Sequence, residues 1–210
     1  MINNQPITSA TLEYISLNGD RDVDRITSGY DLICMVNGSC RYEDSRGTHE
    51  ALKNSMHILT PGSRMTEYRV GSSGLFEQVV ISIEGDALFG RVDHRDREEE
   101  RFEEAILCGL ASNISIEELA KKCCHSTSTF KRRFRERYGI SPHRWFLGCR
   151  LAIAERILSQ TRIPTNIIAS LAGFINVSHF IATYRRRFGY TPTRTIRERY
   201  SRHIAVSEHK

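Results

Sequence analysis

One block of this sequence is written twice. Ser128-Thr129-Phe130-Lys131-Arg132-Arg133-Phe134-Arg135-Glu136-Arg137-Tyr138-Gly139-Ile140-Ser141-Pro142 aligns with Ser178-His179-Phe180-Ile181-Ala182-Thr183-Tyr184-Arg185-Arg186-Arg187-Phe188-Gly189-Tyr190-Thr191-Pro192. Phe130 and Phe180, Phe134 and Tyr184, Gly139 and Gly189, and Pro142 and Pro192 each stand 50 positions apart. Self-similarity at a fixed period is the mark of one supersecondary unit used twice. Whatever local fold suits the first copy must also suit the second.

Each copy reads as a short helix, a tight turn and a second helix. In the first, Ser115 with Glu118 three residues on makes a capping box, and Ile116, Leu119, Ala120 and Cys123 supply an inner face. A turn over Cys124-His125-Ser126 leads into a helix over about Thr127–Tyr138. Phe130 and Phe134, at i and i+4, face inward there, which leaves Ser128, Thr129, Lys131, Arg132 and Arg135 outward. In the second copy Pro164 suits a first helical turn, Ile167, Ile168 and Leu171 face inward, and Gly173 sits at the turn. A helix over Ser178–Phe188 then turns Phe180 and Tyr184 inward and Val177, Ser178, Ile181 and Ala182 outward. A tight turn into a helix with a polar, basic outer face is the geometry that reads DNA. The helix-turn-helix units are expected at about 115–138 and 164–188. Between them Ser141-Pro142 opens a helix to about Ser159, with Phe146, Leu147, Leu151, Ile153, Ala154, Ile157 and Leu158 as its apolar side. About 18 residues at about 1.5 Å each span about 27 Å. With helix widths added, two recognition helices can reach the roughly 34 Å of one DNA turn.

Charge divides the chain the same way. Up to Asp96 there are 9 Lys and Arg against 14 Asp and Glu, whereas Asn113–Lys210 holds 19 against 6. An acidic first half and a strongly basic second half imply two domains, the second with an anionic partner. The helix-turn-helix spacing favours double-stranded DNA over a membrane. No run of about 18 apolar residues predicts a transmembrane helix, and Met1–Thr11 lacks the basic and apolar regions of a secretory signal. The expected compartment is the cytoplasm. Six cysteines without a C-x-x-C pair argue against a zinc ribbon and a disulfide scaffold.

The first half reads as short strands: Leu12–Leu17, Tyr30–Val36, Cys40–Glu43, His49–Leu52, Met56–Leu59, Met65–Val70 and Leu75–Ile83, set off by Asn-Gly, Pro-Gly and Gly-Ser turns. Seven such strands predict an antiparallel sandwich or small barrel, able to hold a ligand or pair with a second copy. His49, His57, Glu67 and Glu84 have metal-ligand chemistry but lack a tight His-x-His cluster, so no metal and no cofactor is expected. No Ser/His/Asp or Cys/His spacing suggests catalysis, and the protein is not expected to be an enzyme. Asp93–Arg101 is a mixed charge run leading into a helix over Glu98–Leu110, which Asn113 ends.

Ser115–Arg197 resembles the DNA-binding domain of the AraC/XylS family of bacterial transcription regulators. The resemblance extends to Arg150-Leu151-x-x-Ala154-x-x-Ile157-Leu158, Ala172-Gly173-Phe174-x-x-x-Ser178-x-Phe180 and Gly189-x-x-Pro192. Ser128–Arg132 and Tyr184–Gly189 look most like the branch that activates type III secretion and other virulence operons. The resemblance implies base contacts from Ser128, Lys131 and Arg132 in the first recognition helix and from Val177, Ser178, Ile181 and Ala182 in the second. Lys121, Lys122, Arg135, Arg185, Arg186 and Arg187 are the expected phosphate contacts. Family members commonly carry an N-terminal cupin-like domain that senses a ligand or dimerises. The expected protein is therefore α+β with two domains: a cupin-like antiparallel β barrel over 1–92 and an all-α DNA-binding domain over 93–210. Its expected partners are DNA, RNA polymerase, a second copy, and a small-molecule effector or regulatory protein at the first domain. A cupin-type enzyme with an accessory DNA-binding domain is the alternative. The chain departs from the family pattern at Cys124, where glycine is usual, at Ala182, where a polar or basic residue is common, and at Thr195, where an aromatic is usual.

Overall fold

The computed structural model describes residues 10–89, 97–112 and 114–207, so Asn113 and most of the charged run before Arg97 lie outside it. By compactness the chain divides into two units, Met1–Cys149 and Arg150–Lys210.

Among the described residues of the first unit, eight antiparallel strands make two four-stranded sheets: β1 (Thr11–Leu17), β2 (Arg21–Ile26), β3 (Tyr30–Asn37), β4 (Ser39–Asp44), β5 (Gly47–Leu52), β6 (Met56–Leu59), β7 (Arg64–Arg69) and β8 (Phe76–Ile83). Their orders are β1-β8-β3-β6 and β2-β7-β4-β5, so only β4 and β5 pair as chain neighbours. This is jelly-roll connectivity, with the chain crossing repeatedly between sheets. Of the two forms expected, an antiparallel sandwich or a small cupin-like barrel, the strands take the sandwich, two four-stranded sheets. Each sheet buries one face against the other, and Ile33, Met35, Leu59, Phe76 and Val80 from one meet Cys40, Tyr42, Ala51, Met65 and Tyr68 from the other. The unforeseen strand is β2. Its sequence, Arg-Asp-Val-Asp-Arg-Ile, has almost no apolar alternation because it lies at a sheet edge, with one half-buried side chain, Val23, toward the core and a register shift between Asp22 and Arg25.

The helices are α1 (Gly85–Phe89), α2 (Arg97–Ala111), α3 (Ile116–Lys122), α4 (Thr127–Tyr138), α5 (Pro142–Gln160), α6 (Thr165–Leu171), α7 (Val177–Phe188) and α8 (Pro192–Ser207). A helical turn, α1, follows the last strand. The division between the two units falls inside α5. No helix among the described residues is long and apolar enough to cross a membrane. Sequence periodicity did not reveal α8, which extends the repeat to three helices: α3-α4-α5 and α6-α7-α8. The third helix opens in each copy at a proline, Pro142 or Pro192, whose missing N–H costs nothing in a first turn.

Aromatic rings hold each copy together. In the first unit Phe102 of α2 is buried, with its ring 5.4 Å from Phe130 and 6.2 Å from Phe134. Trp145 meets Phe134 edge-on at 5.6 Å. Gly109 lets α5 approach α2, since a Cβ there would stand 2.5 Å from the Phe146 ring. In the second unit Phe180 and Tyr184 are buried with Ile168, Ala169 and Leu171. Thr195 stands where the first copy has Trp145, and Tyr184 where it has Phe134. The buried hydroxyls of Tyr184 and Thr195 lie 2.8 Å apart in a hydrogen bond. The departure at Thr195 is therefore one half of a paired exchange: a ring–ring contact in one copy becomes a hydroxyl–hydroxyl contact in the other. α8 is further tied by Arg199, buried, which donates to the Leu158 carbonyl at 3.1 Å.

This pairing predicts a non-additive pair of variants. Thr195→Val leaves the buried Tyr184 hydroxyl without that partner and is expected to lower stability by about 1–3 kcal/mol. Adding Tyr184→Phe is expected to recover much of the loss, as a double-mutant cycle in denaturant unfolding would show.

Candidate nucleic-acid interface

The two turns are set by local hydrogen bonding. Ser115 and Glu118 form a reciprocal capping box: the Ser115 N–H donates to Glu118 Oε2 at 2.8 Å and the Glu118 N–H to Ser115 Oγ at 3.2 Å. Those bonds from Ser115 hold the Glu118 carboxyl below its ordinary pKa. α3 then ends in a Schellman motif, with the His125 N–H donating to the Ala120 carbonyl and the Cys124 N–H to that of Lys121, at 2.9 and 3.0 Å. α6 ends the same way through Phe174 to Ala169 and Gly173 to Ser170. The motif puts Cys124 at φ 57° and Gly173 at φ 80°. Burial pushes the neighbouring Cys123 thiol up to about 11, so it packs as a neutral side chain. Ser126 caps α4 through the Thr129 N–H, and Asn176 caps α7 through the N–H groups of Ser178 and His179.

The turns differ in length by one residue. From the end of the first helix to the next cap the first copy runs Cys123 to Ser126, and the second runs Ala172 to Asn176. Ile175 is the additional residue, and it is 101% exposed. The 50-residue period of the recognition helices hides this insertion, because the preceding helices are offset by 49.

On α4 the basic side chains sort into two groups. Lys131, Arg132 and Arg135 are exposed, as is Ser128. Lys131, Arg132, Arg135, Glu136, Ile116 and the Ser141-Pro142-His143 corner line a hollow of about 550 Å³. Arg132 donates to Glu136 at 2.9 Å one turn along, an acidic neighbour in the hollow that residue-by-residue reading passed over. Arg133 and Arg137 instead turn to α2. Arg133 pairs with Glu98 and, at 2.6 Å, with Glu99, its guanidinium 4.9 Å from the Phe102 ring centre. Arg137 pairs with Glu99 and, at 3.2 Å, with Glu103, and donates to the Phe89 carbonyl. The Tyr138 hydroxyl donates to the Leu88 carbonyl at 3.0 Å, and burial raises its pKa. Glu98 and Glu99 of the mixed charge run, with Glu103, therefore neutralise the inner half of α4's charge.

On α7, Val177, Ser178, Ile181, Ala182, Arg185, Arg186 and Arg187 are all exposed. Ser178, Ile181, Ala182, Arg185, Arg186, Gly189 and Thr191 line a hollow of about 690 Å³, the counterpart of that beside α4. Arg187 does not share it: its guanidinium lies 5.8 Å from the Phe188 ring centre, about 100° round the helix from Arg186. Lys121 and Lys122 are exposed at the end of α3, outside the first hollow.

These features match known proteins. The family described as "Helix-turn-helix domain" matches residues 119–198. The chain is 30% identical over 132 residues to the virulence regulon transcriptional activator VirF of Yersinia enterocolitica, covering 62% of this chain and 48% of that protein. It is 41% identical over 68 residues to the HTH-type transcriptional regulator ExsA of Pseudomonas aeruginosa, covering 32% of this chain and 24% of that one. With the probable transcriptional regulator LumQ of Photobacterium leiognathi it shares 34% over 85 residues, 40% of this chain and 34% of that one. The crystal structure of the AdpA DNA-binding domain in complex with a target DNA aligns at 26% identity over 49% of this chain and 95% of that chain, with a TM-score of 0.46. Residues 119–198 form a helix-turn-helix domain of the AraC type. It spans less than half the length of each curated relative named here.

The AraC-type domain is accompanied by a smaller cavity of about 290 Å³ between the sandwich and α2, lined by Tyr42, Arg46, His57, Glu104, Leu107 and Cys108 among others. The Tyr42 hydroxyl and His57 Nδ1 are 3.0 Å apart there. Burial, then the charge of His49, lowers the His57 pKa. Among the described residues no three His, Cys, Asp or Glu side chains gather as metal ligands.

Two contrasts follow for the AraC-type domain. A non-glycine residue in left-handed backbone costs about 1–2 kcal/mol, so Gly173→Ala is expected to destabilise by about that amount and Cys124→Gly to leave stability unchanged or raised in denaturant unfolding. Arg133→Ala is expected to cost about 1–3 kcal/mol of stability, whereas Arg132→Ala, exposed and paired to exposed Glu136, should leave the unfolding midpoint within about 0.5 kcal/mol of the parent.

Proposed function

We propose that this protein is a sequence-specific DNA-binding transcription regulator that uses α4 and α7 as two recognition helices. The observation that carries this reading is the pairing of equivalent hollows beside α4 and α7, each bordered by exposed arginines on the outer face of a helix whose inner aromatics are buried. Base contacts are assigned to Ser128, Lys131 and Arg132 on α4 and to Val177, Ser178, Ile181 and Ala182 on α7. Phosphate contacts are assigned to Lys121, Lys122, Arg135, Arg185, Arg186 and Arg187. The name of VirF, a virulence regulon transcriptional activator, supports a finer reading, an activator of virulence genes; type III secretion genes as targets and RNA polymerase as the partner at its promoters belong to the same proposal.

The division of labour we infer is residues 1–92 for sensing or self-association and 93–210 for DNA, with the first domain cupin-like in role. The cavity beneath α2 offers a small effector a place next to Glu104, on the helix whose Glu98, Glu99 and Glu103 grip α4. The bond from Tyr138 to Leu88 supplies a second route from the sandwich side to the recognition helix. A second copy or a regulatory protein would act through the same elements.

Gel-shift titration tests the reading on DNA recovered by genome-wide mapping of bound sites. Arg132→Ala with Ser178→Ala is expected to lose affinity for those sites. A bidentate Arg–base contact alone accounts for about 1–3 kcal/mol, and the loss should be confined to particular base positions. Arg186→Ala should instead weaken all duplexes alike and lower the salt dependence of binding by about one counterion. Unchanged affinity in the double variant would sink the assignment of these helices.

A further inference from the structure

The second copy presents apolar side chains where the first presents charge. Six large hydrophobic residues are exposed among the described ones, and three of them, Ile175, Val177 and Ile181, lie within seven positions. Their exposures are 101%, 36% and 37%. Ile181 and Ala182 replace Lys131 and Arg132, and Ile175 is the residue that lengthens the turn. At 100° per residue, Val177, Ser178, Ile181, Ala182 and Arg185 follow one another along a single stripe of α7. Ile175 sits just before the Asn176 cap at the head of that stripe. The stripe runs into Arg185 and Arg186, which share the hollow with Ser178, Ile181 and Ala182.

The partner of such a surface must offer apolar groups beside closely spaced negative charge. An apolar protein face would leave Arg185 and Arg186 opposite nothing of opposite sign. A DNA major groove satisfies both demands, and its one apolar base-edge group is the C5-methyl of thymine. Resting on the DNA-binding reading above, we propose that α7 reads its half-site through thymine methyl groups. Ile181 and Val177 make the contacts and Ile175 extends the apolar strip past the helix end. α4 reads its own half-site by hydrogen bonds from Lys131 and Arg132. The second helix is then a reader of methyls as well as an anchor on phosphates.

Deoxyuridine separates this from every hydrogen-bonding effect, because it lacks only the C5-methyl of thymidine and pairs identically. The full chain is first used to enrich duplexes from a random-sequence pool, and Arg132→Ala identifies the half-site read by α4. In the other half-site, each thymidine changed to deoxyuridine is expected to weaken binding about fourfold, the equivalent of about 0.8 kcal/mol per buried methyl-sized group. The same change in the α4 half-site should have no such effect. Ile181→Ala and Val177→Ala, both on exposed positions, should erase the difference between thymine and uracil duplexes without changing the unfolding midpoint. An enriched site whose α7 half binds equally well with uracil overturns the proposal and leaves DNA recognition standing. Failure to enrich any sequence overturns both. Valine and isoleucine variants that keep the thymine–uracil difference but lose transcriptional activation would assign the patch to a protein partner, and the proposal would fall.

Discussion

Two inward-facing aromatic pairs decide what each recognition helix can do. Phe130 and Phe134 on α4, and Phe180 and Tyr184 on α7, are completely buried. Because the members of each pair stand four residues apart, burying both leaves a helix no freedom to roll about its axis. The direction of every other side chain then follows at 100° per residue. On α4 this sends Lys131, Arg132 and Arg135 outward and Arg133 and Arg137 toward α2. On α7 it sends Ile181, Ala182, Arg185 and Arg186 outward and Thr183 inward. Without that anchoring, a run of adjacent basic residues would present no defined face to a groove.

The same anchoring explains why two copies of one unit diverge without losing the fold. The inner seam accepts exchanges provided that each new polar atom finds a partner, as when Phe134 against Trp145 becomes Tyr184 bonded to Thr195. The outer face carries no such packing constraint, so Lys131-Arg132 can become Ile181-Ala182 without disturbing the buried seam. The turn between the helices is tolerant too, taking up Ile175 while α3 and α6 end in the same Schellman bonds. The first copy is also held by α2, whose Glu98, Glu99 and Glu103 grip Arg133 and Arg137. That places the first recognition helix under the influence of whatever moves α2.

Much of this was legible from residue types alone. The capping box at Ser115 and Glu118, the turn over Cys124-His125-Ser126, the limits of α4 and the outward set on both helices follow from short-range rules of capping and periodicity. The strands of the sandwich were also readable, since Tyr30–Val36 and Leu75–Ile83 are apolar runs between strong turns. β2 escaped because an edge strand needs few apolar residues, and its Arg and Asp side chains read as loop. α8 escaped for a related reason: its opening Thr-Arg-Thr-Ile-Arg-Glu-Arg is mostly polar, and only the proline equivalent to Pro142 announced it. Strand spacing left a sandwich and a small barrel both open, because it constrains the number of strands and not their pairing.

By itself, the sequence determined that a helix-turn-helix unit occurs twice, where each helix begins, and which residues face in. Those are consequences of contacts between residues a few positions apart. The tertiary structure alone decided which positive charges remain available. Arg132 and Arg133 are adjacent in sequence and equally basic, yet one lines an open hollow and the other is held by glutamates 34 and 35 positions away. It also decided that Ile175, indistinguishable in sequence from a buried core residue, stands fully in solvent at the head of α7. Charge and apolarity are properties of a residue; whether a partner can reach them depends on which distant segment has already covered them.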